Sequence, residues 1–143
     1  MSNDEHLRKY LELQHLTINR IANNSFLIKG WTITLTTVIV GIMSTRDDLS
    51  YKVAFLVLIP IVIFALLDAY YLSIERKMKK RFAEVVDSFN EGRLNEIKMY
   101  QISTKQPSNI SDTVWGALFS LSILLTYVPL ILLVLFVLLL FCK

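Results

Sequence analysis

The sequence predicts an all-α membrane protein with three transmembrane helices, a hairpin plus a C-terminal span. An N-terminal amphipathic helix precedes the hairpin, and a cytosolic helical segment follows it. Three observations lead there. Apolar residues make up 54% of the 143-residue chain, and they gather in runs at 26–44, 53–67 with an extension to 74, and 114–142. At about 1.5 Å per residue each run can cross a hydrocarbon core of about 30 Å. With Gly at 4 and Pro at 3, the chain has little turn chemistry for a sheet and favours long helices. The alternating segments of about ten residues that a transmembrane β-barrel needs are not visible.

Four segments follow in order: 1–25, 26–74, 75–112 and 113–143. The first reads as an amphipathic cytosolic or interfacial helix. Ser2, Asn3 or Asp4 can cap it, and Asp4 and Glu5 suit the positive end of its dipole. Leu7, Leu11, Ile18 and Ile21 form one apolar stripe, with Arg8, Lys9, Glu12 and Arg20 mostly off it. His6 and His15 stand too far apart to pair as metal ligands on one helix. The first 25 residues are charged throughout and lack an apolar core before a cleavage site, so no secretory signal peptide is expected. Asn23-Asn24-Ser25 can break the helix or cap a new one at Phe26.

The first span carries Gly30, Thr34, Thr37, Gly41 and Ser44 at alternating spacings of four and three. That period places small or weakly polar side chains on one face, as left-handed helix packing requires. Two readings stand: close packing of helices, or a face lining an aqueous path in an oligomer. Thr32 and Thr36 lie off this stripe. The second span holds Pro60, where a bend is expected, and ends in Asp68 and the interfacial Tyr70 and Tyr71.

Asp68 is the costly residue, because a carboxylate within a span needs a partner. If the outer turn centres near Asp48, residues facing each other across the hairpin have numbers summing to about 96. Lys29 matches Asp68 and Arg20 matches Glu75, provided the first helix is unbroken. These pairs either lock the hairpin or belong to a gate.

The segment after the hairpin opens on Arg76, Lys77, Lys79, Lys80 and Arg81. Met78, Phe82, Val85 and Phe89 give its helix an apolar face that could receive a soluble partner. Gly92 is the expected stop, a short helix at 93–101 and a loop with Pro107 come next, and Ser111 or Asp112 can cap the last helix. The final span contains Pro129 and the small pair Gly116 and Ser120. Lone Cys142 allows no internal disulfide and reads as a small apolar residue at a helix end.

Lys and Arg number four up to Lys29, eight in 75–112 and two in the turn at 45–52. The richer segments therefore belong in the cytoplasm, with the C-terminus outside. On that topology the Asn23 and Asn109 glycosylation patterns carry no weight. No catalytic, cofactor or metal constellation is visible, so no enzymatic activity is expected. The basic run lacks interleaved aromatics, which argues against nucleic acid as a partner and for the lipid bilayer.

Asn19-Arg20, Asn24-Ser25-Phe26, Lys29-Gly30-Trp31, Asp68-Ala69-Tyr70-Tyr71-Leu72 and Glu75-Arg76 form a set. Over about 7–81 the chain resembles small bacterial membrane proteins with a charged N-terminal helix and a two-helix hairpin, and its layout is similar to the SLATT class of effector modules. The resemblance implies a homo-oligomeric inner-membrane effector that forms pores or disrupts the membrane in anti-phage defence or stress. The third span departs from that class, and a nucleotide-sensing domain is missing, so a sensor would be a separate soluble cytosolic protein. The alternative is a membrane anchor or accessory subunit that recruits a soluble cytosolic partner through Met78, Phe82, Val85 and Phe89.

Overall fold

The computed structural model describes residues 3–45, 51–92 and 113–141. The turn at 46–50, the helix expected at 93–101, the loop with Pro107, the caps Ser111 and Asp112, and Cys142 lie outside the described residues. The described residues form four helices: α1 (Asn3–Ser44), α2 (Tyr51–Asn90), α3 (Val114–Leu118) and α4 (Leu121–Phe141). Three of them, α1, α2 and α4, are long and apolar enough to cross a membrane.

Helix α1 is continuous over 42 residues, and Asn23-Asn24-Ser25 neither breaks it nor caps a new helix. The reason is packing. From Leu7 to Thr36 its buried side chains are Leu7, Tyr10, Gln14, Ile18, Ile21, Ser25, Ile28, Thr32 and Thr36, each three or four from the next, and Met43 follows two turns on. That is the seam of a left-handed pair of helices, and Ser25 sits inside it. A burial stripe on both sides of the polar patch outweighs the weak preference of Ser and Asn for caps.

Helix α2 is equally unbroken over 40 residues and runs through Pro60. It lies antiparallel to α1. Near one end Val85 packs with Leu7 and Tyr10. Further along, Lys29 meets Asp68. The boundaries expected at 25 and 74 therefore fall inside continuous helices. Helix α2 stops at Asn90, and Gly92 takes a φ of 71°, the left-handed conformation that glycine adopts without a Cβ clash. The Gly92 amide then donates to the Phe89 carbonyl at 3.1 Å.

The third span is not one helix. Thr113 caps α3, its hydroxyl accepting from the Gly116 amide at 3.1 Å. The helix closes at Phe119, and the Ser120 amide donates to Ala117 O at 3.0 Å. Ser120 then begins α4, its carbonyl accepting from the Ile123 and Leu124 amides. A serine suits that position because it tolerates the end of a helix better than its middle. Helix α4 packs on both α1 and α2. Ile61, Ala69, Ala117, Ile123, Tyr127 and Val134 build the core the helices share.

Candidate polar node at the three-helix junction

The shared core encloses one polar node. Asp68 on α2 is wholly buried, and the Lys29 side chain from α1 is 17% exposed. The Lys29 Nζ lies 2.7 Å from Asp68 Oδ2 and donates to Oδ1 at 2.9 Å. It also donates to Ser25 Oγ at 2.9 Å. The Ser25 hydroxyl in turn donates to Asp68 Oδ1. Ser25 and Lys29 stand one helical turn apart on α1, so both reach the same carboxylate. Beyond the ammonium, Oδ2 has no hydrogen-bond donor among the described residues.

Helix α4 closes the node with Tyr127. Its hydroxyl donates to the Phe64 carbonyl at 3.2 Å and lies beside the side chains of Thr32 and Asp68. Thr32 is buried and donates to its own helix at Ile28 O, 2.7 Å away. One charge pair, two hydroxyls and a phenol thus fill a site that water would otherwise have to solvate. Such a buried pair is held by mutual attraction against a desolvation cost of several kcal/mol per ion. Sequence reasoning placed Lys29 and Asp68 here and missed Ser25, Thr32 and Tyr127. The available signals were the one-turn spacing from Ser25 to Lys29 and a single phenol deep in the apolar run of α4.

Arg20 does not join Glu75. Arg20 is exposed, and Glu75 pairs with Lys79 one turn along its own helix. The two residues match in depth but not in angle. Two steps past the buried Ile18 rotate Arg20 by about 200°, onto the far side of α1.

The stripe Gly30, Thr34, Thr37, Gly41 and Ser44 is exposed along its whole length. Among the described residues it takes no part in packing, which uses the Ile28, Thr32 and Thr36 side instead. A Cβ added at Gly30 or Gly41 meets nothing within 4 Å. The stripe hydroxyls bond to their own helix, Thr34 to Gly30 O at 2.9 Å, Thr37 to Ile33 O at 2.8 Å and Ser44 to Val40 O at 2.9 Å. With their polarity satisfied internally they are compatible with an apolar neighbour.

The face expected to recruit a partner is largely taken. Val85 is fully buried against α1, and Met78 and Phe82 are partly buried, leaving Phe89 exposed. The apolar stripe of the N-terminal helix and this face cover one another. No family model matches the chain, and no curated protein or solved structure is similar to it.

Proposed function

We propose that the chain is a self-assembling bacterial inner-membrane protein that acts as a membrane effector, opening a pore or disrupting the bilayer. The single observation that carries this reading is the exposed stripe from Gly30 to Ser44, which is small, polar only toward its own backbone, and unused inside the chain. Faces of that kind let membrane helices approach closely. Three spans are also too few to enclose a transport path alone, so a path requires several copies. The N-terminus is cytoplasmic and the C-terminus outside, following the distribution of Lys and Arg. The trigger comes from a separate soluble cytosolic sensor, and the action serves anti-phage defence or stress, as the SLATT-like layout implies. Within each copy Lys29 and Asp68 hold the hairpin closed.

The test is the protein mass in lipid nanodiscs, together with dye release from vesicles. A discrete assembly of four or more subunits that releases dye supports the proposal. A monomer or dimer that releases none overturns it and leaves the membrane-anchor reading. That second reading has lost most of its surface, since Val85 is buried and only Phe89 of the face is open.

A further inference from the structure

Helix α1 has two faces of one period, and the hairpin uses only one of them. Leu16, Asn23 and Gly30 each stand two residues after one buried side chain and two before the next, as Leu16 does between Gln14 and Ile18. Two residues turn an α-helix by about 200°, so all three point away from the buried side of α1. Continuing the small-residue stripe backward from Gly30, in alternating steps of three and four, reaches Leu27, Asn23, Arg20, Leu16 and Leu13. All five are exposed. The buried face follows the same alternation from Gln14 to Thr32, so the two faces stay opposed along the helix. The stripe is therefore the second half of a longer seam, which from Leu13 to Ser44 spans roughly 46 Å.

The start of the seam lies outside the apolar run at 26–44, among Arg8, Lys9, Glu12 and His15. Among the described residues of α1 before Phe26, two large apolar side chains are exposed, Leu13 at 48% and Leu16 at 58%, and both fall on the seam. A single exposed leucine is ordinary, but these two share a phase with a face fitted for close helix contact. Arg20 and Asn23 are the polar positions between them and the spans. A polar residue within an apolar seam fixes register and copy number at a cost in stability. Arg20 also has an aliphatic stem that packs while its guanidinium reaches water. The chain's own remaining segment is badly placed to cover this face. The stretch between Gly92 and Thr113 leaves from the end of α2 and returns at α3, which among the described residues packs on α2 and not on α1. Both ends of that stretch lie on the α2 side of the hairpin, and the seam faces the other way.

We infer that the seam from Leu13 to Leu27 is a docking surface for the same seam of a second copy of this chain, so that subunits zip along α1 beyond the membrane as well as within it. The inference rests on the self-assembly proposed above and names which further part of each copy meets the other. Copies inserted in one direction have parallel α1 helices, and parallel helices with a seam of alternating threes and fours meet at equal positions, knob into hole. Leu13 and Leu16 then pack on their counterparts, and the Asn23 side chains bond to one another across the contact.

The experiment places one cysteine at a time in the full chain, in a Cys142→Ser background that removes the only native thiol, and oxidises the protein in vesicles. A disulfide needs Cβ atoms about 3.5–4.5 Å apart, so only positions that meet their own counterpart join two chains. Leu13→Cys, Leu16→Cys and Asn23→Cys should give disulfide-linked dimers. Arg8→Cys and His15→Cys, exposed on other sides of α1, should give none. Leu13→Asn combined with Leu16→Asn should lower the nanodisc mass and leave thermal melting of the detergent-solubilised monomer unchanged, since both leucines are exposed within one copy. An assembly with dimers at no seam position, or at all five positions alike, overturns the outer seam and leaves assembly through the spans standing. A lower melting temperature in the double variant with no dimers shows that the chain's own residues cover the leucines, and overturns the seam as well. A wild-type chain that stays monomeric in nanodiscs overturns the self-assembly and the seam together.

Discussion

The Ser25 hydroxyl of α1 donates to the Asp68 carboxylate of α2, beside the Lys29 ammonium that neutralises it. A residue that looks like a helix breaker is thus a clasp between two helices. It also explains how a wholly buried carboxylate is tolerated, since a hydroxyl and an ammonium both point at it.

Removing one charge of the pair strands the other. Lys29→Met or Asp68→Leu alone should destabilise the hairpin by about 3–5 kcal/mol. The double variant should recover much of that loss, because an apolar pair of similar volume needs no solvation. Unfolding in detergent of the four proteins of this cycle measures the coupling. If the double variant is stable yet no longer releases dye from vesicles, the pair gates as well as locks. Unchanged assembly and dye release in Asp68→Ala would remove any functional role for Asp68.

Tyr127→Phe deletes the bond to the Phe64 carbonyl and keeps the ring. A loss of about 0.5–1.5 kcal/mol is expected. Tyr127→Ala also opens a cavity against the node and should cost about 3–5 kcal/mol, the range for a large aromatic. Thermal melting of both variants separates the hydrogen bond from the packing.

Val85→Asp places an unpaired carboxylate against Leu7 and Tyr10. It should open the end of the hairpin remote from the spans without releasing the node. Hydrogen exchange should then accelerate over 5–14 and stay slow over 28–43. Uniform acceleration would show that the two halves of α1 unfold as one unit.

Gly30→Leu and Gly41→Leu add bulk where, among the described residues, nothing lies within 4 Å. Monomer stability should be unchanged or slightly higher, since leucine favours a helix by close to 1 kcal/mol over glycine. The nanodisc mass should nevertheless fall. An unaltered assembly would take the stripe out of the subunit contact.

The three apolar helices were legible because a long apolar run leaves few alternatives. The depth of the Lys29–Asp68 meeting was legible too, since an antiparallel hairpin fixes which positions share a level. Angle was harder to read. Helix α1 carries two small-residue stripes of nearly the same period, one through Gly30, Thr34 and Thr37 and one through Ile28, Thr32 and Thr36. Only the partner helix decides which is buried, and it chose the one that also holds isoleucine. Arg20 and Glu75 failed on the same ground, matching in level but not in direction. The break at Phe119 and Ser120 was hidden because the apolar run continues straight through it. Tyr127 was hidden because its partners are a backbone carbonyl and residues on two other helices.

The unbroken course of α1 and α2 has a mechanical meaning. Between the Val85 contact and Asp68, α2 runs unbroken with no proline, as α1 does from Leu7 to Ser25. A twist or pull applied where Leu7 and Tyr10 grip Val85 has no hinge in which to dissipate before it reaches Ser25 and Asp68. Whatever seizes that far end of the hairpin holds the handle of a lever whose short arm is the buried carboxylate.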